Sequence, residues 1–349
     1  MTSHDRSGST SPGPAVPRAA PSAGAVTSRL CEQRELDEMC RTGLEIVYEA
    51  IDSGDAARAA EAASNVLTAR SGLADLFVNW VAASLAYLLQ EHGEDAMAGA
   101  LEPEAWLSSG MDTAGGEAVV WLARQAFSEP DGVATRVGEL VGAGDAVGAR
   151  RYWSEVEDAT LKMHDHRVDL AAAVLSHVYR RYGTDGVSGA LAHAAARPWW
   201  SDRMEEDLRN DPVTRVREWS FFLGVGNFGS ISVTEDDDRF VIHHQVCGSC
   251  ARQELRNRHG EPWALARVVE PVPELNFGIS NYTIYRTHLA AWHFVMPIGR
   301  GMPPWPAIDC SGVPGRCWFT IYKDPATTPR RYYDMVGLGS RHPTEGRQP

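Results

Sequence analysis

The order of apolar and polar residues divides the chain into a helical first part and a mixed second part. Between residues 29 and 200, Ala, Leu, Val and aromatic residues recur at the three- and four-residue spacing of amphipathic helices. Farther on, apolar and polar residues alternate around an acidic turn, with Ile231 and Val233 before it and Phe240 and Ile242 after it. An alternation with a period of two predicts a β-hairpin.

More segments with a clear pattern follow the hairpin. Residues 279–296 predict a strand that leads into a helix carrying His288 and His293, and residues 316–324 predict a late strand. We therefore expect an α+β protein that is mostly helical, with a small antiparallel sheet in its second domain. The expected boundaries are 1–28 for a disordered tail, 29–200 for the helical domain, 201–337 for the mixed domain and 338–349 for a flexible tail.

The helical part contains an internal repeat. Residues 53–101 align with residues 143–191 without a gap, and each segment opens with a Gly-Asp pair. The Asp side chain accepts hydrogen bonds from the free amides of a first helical turn, so each copy starts a helix there. Gly93 and Gly183 stand where a long helix should end. The repeat predicts a duplicated helical-hairpin module that acts as a scaffold.

Differences between the two copies draw attention to histidines. Three positions of the first copy are histidine in the second: Ala74, Leu76 and Tyr87 become His164, His166 and His177. Since the first copy carries no histidine there, we expect Ala74→His to be nearly neutral. The three histidines are either hydrogen-bonded surface groups, or they lie on a helix that faces an active site, where His166 and His177 would contact substrate.

Charge and cysteine content limit the class of protein. The chain has 349 residues and a net charge of −13, which disfavours nucleic acid and anionic membranes as partners. Six cysteines are too few for a disulfide scaffold in a chain of this length. The chain starts without the apolar segment of a secretory signal. We expect a cytoplasmic protein with reduced thiols and a small-molecule substrate.

The segment His243–Cys250, HHQVCGSC, is the main candidate for chemistry. Two imidazoles and two sulfurs within eight residues are a dense set of ligands for zinc, iron or haem iron. His288 and His293 are candidate distant ligands, and Cys310 and Cys317 form a further pair. Four interpretations stay open: a structural zinc site, a redox dithiol, inert buried side chains, and an iron or haem site with an open position.

Part of the chain, roughly residues 140–336, resembles an uncharacterised bacterial family. That family has the motifs CGSGGR, NFG, a cysteine-rich CxxCxxC-type segment and a final TIYK, in this order. Here Cys247 stands at the first cysteine, and Thr320–Lys323 match the last motif. The cysteine-rich segment is replaced by residues 285–293, YRTHLAAWH. The resemblance thus implies that a sulfur ligand set has become a histidine set, which weakens a plain zinc-thiolate interpretation.

The same region also resembles histidine-ligated haem peroxygenases that hydroxylate 3-methyltyrosine in antibiotic pathways. Their motif is HxnHxxxC, in which one histidine binds iron and the cysteine forms a thioether to the haem. His243 and Cys247 satisfy HxxxC, with His193 or His177 as the upstream histidine. Alternatively, His244 is the first histidine and 288–292 the second half, where Trp292 replaces the cysteine. The resemblance implies haem as the cofactor and hydrogen peroxide as the oxidant.

Together these patterns predict an iron-dependent oxidative enzyme, with haem as the first choice of cofactor, that acts on a small aromatic or amino-acid-derived substrate. Zinc and non-haem iron are the alternative metals, and a zinc-stabilised binding protein without catalysis is the alternative function. The expected ligands of the metal or cofactor are His243, Cys247, Cys250 and His288. The expected acid–base groups are His244 and His293, and the expected substrate-binding groups are Arg286, Arg300, His166 and His177.

Overall fold

The computed structural model describes residues 29–261, 263–310 and 316–343, with the backbone alone at 103–119 and 310. The expected tail 1–28 and the end of the expected tail 338–349 lie outside the described residues. Within that second tail, His342 is buried and its Nε2 lies 3.0 Å from the Thr328 carbonyl oxygen. This imidazole also packs against Tyr333, and the boundary at residue 337 stays a prediction.

Helices form the whole first part of the described chain. Helices α3 and α6 begin where an Asp side chain accepts backbone N–H groups: Asp55 from Ala57 and Arg58, and Asp145 from Gly148. The helices are α1 Gln33–Met39, α2 Gly43–Asp52, α3 Ala56–His92, α4 Glu94–Ser128, α5 Pro130–Gly142, α6 Ala146–Ala195, α7 Pro198–Asp207 and α8 Pro212–Phe221. The expected helix ends at Gly93 and Gly183 are both present, as an end of α3 and as a sharp bend within α6.

Contacts between the two repeated segments are partly reciprocal. Arg70 Nη1 donates to Thr160 Oγ1 over 3.2 Å, and these residues occupy paired positions of the alignment. Two further contacts mirror each other: a side chain on Gly99 would meet the ring of His177, and one on Gly189 would meet the ring of Tyr87. Related modules packed about a local twofold axis would make such contacts. The duplication itself stays a prediction.

The sheet of the second part has four antiparallel strands in the order β1-β2-β6-β5. The predicted hairpin is present, since β1 pairs with β2 and buries Ile231, Val233, Phe240 and Ile242. The late strand is also present and lies beside β2. The strands are β1 Ser230–Glu235, β2 Arg239–Val246, β3 Arg267–Val268, β4 Tyr282–Thr283, β5 Ala307–Cys310 and β6 Cys317–Tyr322, of which β3 and β4 form a separate pair.

Short helical segments complete the second part. They are α9 Cys250–Leu255, α10 Pro273–Asn276, α11 Thr287–Ala290, α12 Met296–Gly299 and α13 Arg331–Asp334. Two turns have π-helical geometry, Phe222–Gly226 after α8 and Ala291–Val295 after α11. Such turns occur often at functional sites. As predicted, β4 leads through a 3-10 turn into the helical segment that carries His288 and His293.

The described protein is thus mostly helical with a small antiparallel sheet, as the pattern predicted. Phe77 and Val168 of the helices belong to the same hydrophobic core as Ile242 and Phe319 of the sheet. The helical part and the sheet therefore share a core at the place where they meet. The division at residue 200 stays a prediction.

Helix α3 is long and apolar enough to pass a test for membrane spans that considers length and composition only. Its most apolar 18-residue window has a mean hydropathy of 1.5, and 44% of that window is buried inside the protein. Core helices pass the same test. In the described protein α3 packs against α2, α4, α5 and α6.

Candidate functional site

A cavity of about 70 Å³ lies where the helices meet the sheet. Side chains of α3, α7 and α8 form one wall, and β2, β6 and residues 285–293 form the other. Both π-helical turns contribute lining residues, among them Leu223 from the first and His293 from the second. A volume of this order holds an ion or a few water molecules, so a larger ligand would need side chains of the wall to move.

The cavity brings together six of the residues predicted from the sequence. All six line it, although they come from β2, the CGSC loop and the segment around α11: His244, Cys247, Cys250, Arg286, His288 and His293. Cys317, which was considered only as part of a late cysteine pair, lines it as well. The predicted gathering of imidazole and sulfur groups from two distant segments is therefore present.

His243 does not join this group. Successive side chains of a strand point to opposite faces, so when His244 points into the cavity, His243 points away from it. The His243 ring packs against Trp318, and its Nε2 lies 3.2 Å from Thr234 Oγ1. The expectation that His243 binds the metal or cofactor is corrected accordingly. Of the two adjacent histidines, His244 is the one at the cavity.

Three predicted substrate-binding residues also lie outside the cavity wall. Arg300 is exposed and forms an ion pair with Glu205 at 3.1 Å. His177 packs against Gly99 of α4, and His166 is half-buried on α6 without lining the cavity. These positions were chosen from sequence spacing, which does not show toward which neighbour a helix turns each side chain. Arg286 is the predicted substrate-binding residue that does line the cavity.

The CGSC loop is tightly folded against the end of the first π-helical turn. A Cβ atom on Gly248 would lie only 1.4 Å from the Asn227 carbonyl oxygen, so only glycine fits there. The turn lets the Ser249 N–H point at Cys247 Sγ, at 3.4 Å. The close approach of the Asn227 carbonyl oxygen thus explains why a glycine stands between Cys247 and Ser249.

Cys247 is an activated thiol. Hydrogen bonding from Cys250 lowers its pKa well below the ordinary thiol value, and nearby His244 and the backbone N–H groups of Ser249 and Cys250 act in the same direction. Burial opposes this effect. A thiolate, rather than a thiol, is both the nucleophile and the metal ligand in proteins.

His288 and His293 are held as neutral imidazoles. The Nδ1 of His288 lies 2.5 Å from the Tyr285 carbonyl oxygen, and the Nδ1 of His293 is bonded to the Trp305 carbonyl oxygen. Burial lowers the pKa of His288 to about 4 and that of His293 to about 3. When Nδ1 donates to a carbonyl, the lone pair is left on Nε2, which is the usual state of a metal-binding or base-forming histidine.

His244 is buried without hydrogen bonds. Only 4% of the residue is exposed, and neither ring nitrogen has a hydrogen-bond partner among the described residues. Burial lowers its pKa as well, so this ring is also neutral. Buried polar groups without partners are costly, so a water molecule or a ligand that hydrogen-bonded to this ring would stabilise the site.

Tryptophans form the apolar wall. Trp80, Trp200, Trp219 and Trp292 are each less than 8% exposed, and all four line the cavity. The ring centroids of Trp80 and Trp292 are 4.5 Å apart, and those of Trp200 and Trp292 are 4.7 Å apart. The sequence did not single out the tryptophans of α3, α7 and α8, because an apolar residue on a helix gives no sign of the cavity it will border.

A polar network behind the cavity holds the CGSC loop. Asn227 Oδ1 accepts from Ser249 Oγ at 2.6 Å and lies 2.8 Å from His164 Nε2 on α6. The other His164 nitrogen lies 3.1 Å from Asp165, which also forms an ion pair with Arg252 at 3.1 Å. His164 is thus a buried support of the loop rather than a solvated surface group.

A second carboxylate on α6 holds the helix that follows the loop. Asp169 forms an ion pair with Arg258 at 2.9 Å and accepts a hydrogen bond from Gln253 at 3.1 Å. Burial raises its pKa to about 6.

The donors are near one another but do not form a closed metal site. In the part of the chain that the structure describes, no three His, Cys, Asp or Glu side chains are grouped tightly enough to hold a metal ion. The rings of His288 and His293 are neighbours, with centroids 6.2 Å apart. The cavity therefore offers ligand-competent groups in an open arrangement.

Comparison of the chain with protein-family models, with curated proteins and with solved structures gives no match. The functional argument consequently depends on the cavity and its side chains.

Proposed function

We propose that the protein is an enzyme that oxidises a small apolar substrate in the buried cavity, using an iron ion held by imidazole groups and Cys247. One observation carries this proposal: three neutral histidines and an activated cysteine line a single apolar cavity. Imidazole suits iron, copper and zinc, and thiolate suits iron and zinc. Such a mixed set of nitrogen and sulfur donors is unusual in a core without a ligand to bind.

The orientation of the histidines supports the proposal. Metal-binding histidines usually donate their second ring N–H to a carbonyl or carboxylate, which fixes the tautomer and the ring orientation. His288 and His293 both have this arrangement. Metal–nitrogen bonds of about 2.0–2.1 Å place the ring centroids of two ligands about 5–6 Å apart, and the observed distance is 6.2 Å. A third ligand, His244 or Cys247, would have to move inward.

A single iron ion fits this cavity more simply than haem does. Trp292 packs closely against both Trp80 and Trp200, so a macrocycle would have to displace at least one of these side chains. Non-haem iron is therefore the form that we propose, and haem is retained as the alternative. Bound iron would supply the oxidative step with peroxide or dioxygen. The tryptophan wall would exclude water, and a histidine that is not a ligand would move a proton.

The decisive experiment is a metal analysis of protein purified without a histidine tag, combined with a visible absorption spectrum and an anaerobic Fe(II) titration. We expect bound iron in the wild type and at least about tenfold weaker binding in His288→Ala and His293→Ala. His177→Ala is the matched control, because His177 lies outside the cavity wall. A strong Soret band would shift the proposal to haem. Wild-type protein that binds Fe(II) no better than His288→Ala would refute it.

A second candidate function needs no metal. Because Cys250 donates a hydrogen bond that lowers the pKa of Cys247, the pair has the chemistry of a redox dithiol. In this case the metal-free protein would form a Cys247–Cys250 disulfide on treatment with a small disulfide, which mass spectrometry of alkylated peptides detects. A tightly held zinc ion without turnover would instead support a zinc-stabilised binding protein.

A further inference from the structure

We propose that an open groove beside the cavity holds the body of the substrate, and that this substrate is a neutral, mainly apolar organic molecule. The groove has a volume of about 650 Å³ and is lined by residues of α2, α3, α7 and α8 and by Phe222. The proposal rests on the proposed function in one respect, namely that the substrate reacts at the cavity. It adds where the substrate binds and which chemical class the groove accepts.

The volumes of the two spaces suit different parts of a reaction. The cavity, at about 70 Å³, has room for an ion and the reacting atoms but not for the rest of an organic substrate. The groove, at about 650 Å³, lies within the range of about 300–1,000 Å³ that is usual for small-molecule sites. A substrate that reacts at the cavity therefore needs the groove, or a space like it, for most of its atoms.

Leu73 and Phe222 separate the groove from the cavity, since both side chains line both spaces. Leu73 is 3% exposed, whereas Phe222 is half-buried and begins the first π-helical turn. The guanidinium carbon of Arg203, which also lines the groove, lies 4.9 Å from the centre of the Phe222 ring. A change of the Phe222 rotamer would open this wall and bring a molecule in the groove into contact with the cavity.

The lining of the groove favours a neutral apolar ligand. Most of its uncharged side chains are apolar, and Phe221 among them is 39% exposed. Four charged side chains line the groove, two of each sign: Arg58, Arg203, Glu61 and Glu218. Since these charges balance, a ligand with a net charge would lose hydration in the groove without gaining a counter-charge.

Gly72 of α3 leaves part of the groove open. A Cβ atom on this residue would meet nothing within 4 Å, so packing inside the protein does not require a glycine here. Glycine inside a helix is less favourable than alanine, and the aligned position of the second copy carries Lys162. The space over Gly72 is therefore available to a ligand, and a larger side chain at this position would fill it.

The test measures binding of N-phenyl-1-naphthylamine, a neutral dye whose fluorescence rises in apolar surroundings, to the protein as purified. Its counterpart is 1-anilinonaphthalene-8-sulfonate, which has the same rings and a negative charge. We expect a single saturable site for the neutral dye and at least about tenfold weaker binding of the sulfonate. Gly72→Leu should weaken binding of the neutral dye at least about tenfold, because the new side chain occupies its space. Thr68→Phe fills the groove from the preceding turn and provides a second variant should Gly72→Leu not fold.

Gly132→Leu is the matched control. Gly132 is an exposed glycine of α5 outside the groove, where a Cβ atom would meet only the Glu129 side chain, at 3.9 Å. Circular dichroism establishes that each variant is folded. Dye binding that the folded groove variants leave unchanged, or tighter binding of the sulfonate, would overturn the proposal. A wild-type dimer that Gly72→Leu dissociates in sedimentation experiments would also overturn it, since the groove would then belong to a second copy of the chain.

The connection between groove and cavity has a separate readout. At about ten times its dissociation constant, the neutral dye should slow alkylation of Cys247 by iodoacetamide about tenfold at constant pH, because it blocks the way past Phe222. Phe222→Ala should accelerate this alkylation when no dye is present. Rates that neither the dye nor Phe222→Ala changes would remove the groove as the substrate site. Iron binding is measured independently, so failure of the iron proposal leaves the dye result standing, and the reverse also holds.

Discussion

Helix α3 and the first part of α6 begin and end alike, yet they serve the cavity in different ways. Asp55 and Asp145 cap their first turns, and Gly93 and Gly183 follow their last turns with positive φ angles. Helix α3 gives the cavity an apolar wall through residues such as Phe77 and Trp80. Helix α6 contributes no lining residue among those described, and instead supports the CGSC loop from behind with His164, Asp165 and Asp169.

This difference teaches that one helical pattern can serve two purposes once side chains at paired positions diverge. Ala74 of α3 is small and buried, whereas His164 at the paired position bridges Asn227 and Asp165. The apolar side chains of α3 keep water from the cavity. The polar side chains of α6 hold the CGSC loop by hydrogen bonds, which fix the orientation of the loop better than apolar contacts do. The following predictions test this contrast.

A fall in pH should change the stability contributions of the cavity histidines and of α6 in opposite directions, and this is the largest effect that we expect. Burial lowers the pKa of His288, which packs against Trp80, from the ordinary 6.5 to about 4, and that of His293, which packs against Trp200, to about 3. Their contribution to stability is therefore complete above pH 6.5 and is lost as the pH falls toward 4, because the unfolded chain binds more protons. Asp169 on α6, with its pKa raised from 3.8 to about 6, has the opposite sign and loses stability as the pH rises through that interval.

The measurement is the free energy of unfolding in urea across this pH interval. His293→Asn should flatten the rise of the unfolding free energy with pH, and Asp169→Asn should make that rise steeper. A wild-type profile that His293→Asn leaves unchanged would show that this imidazole does not stay neutral in the folded state.

Trp80→Ala should produce the largest loss of stability from a single substitution on the α3 side. Trp80 is 1% exposed and packs against Tyr285, His288 and Trp292. Removing such a side chain costs about 3–5 kcal/mol. Urea unfolding measures this loss, and a change below about 1 kcal/mol would mean that the wall is not packed as described.

His164→Ala should act on the loop from the α6 side. Loss of the contacts with Asn227 and Asp165 should cost about 1–3 kcal/mol. Because the loop then loses a support, the pKa of Cys247 should move back toward the ordinary thiol value. Alkylation of the Cys247 peptide by iodoacetamide as a function of pH, followed by mass spectrometry, measures this shift. An unchanged midpoint would limit His164 to a purely structural role.

Ala74→His makes the reverse exchange at the paired position of the other copy and should have the smallest effect on Cys247. The sequence alone led us to expect near-neutrality, but Ala74 is only 6% exposed. A larger side chain in a packed core costs about 1–3 kcal/mol, so that expectation is corrected. The alkylation profile of Cys247 should remain that of the wild type. A shift as large as that of His164→Ala would contradict the division of roles between α3 and α6.

The sequence allowed prediction of the elements and of part of the site. Spacing of apolar residues identified the long helices, the hairpin and the late strand, because helix and strand periods are local properties. The high density of His and Cys residues in one short segment identified His244, Cys247 and Cys250. The histidines of residues 287–295 were then predicted as ligands from a distant segment. The predictions for His243, Arg300, His166 and His177 did not place these residues at the cavity, since each depended on the direction of a single side chain.

By itself, the sequence determined where helices begin and end, which strand residues alternate, and that thiols and imidazoles are concentrated in two short segments. The tertiary structure alone decided which of them meet. Trp80, Trp200 and Trp219 are far from the CGSC loop along the chain, yet they border the same cavity as Cys247. Their selection depends on how helices pack against the sheet, and packing is set by the sum of many weak contacts between distant residues rather than by any local pattern.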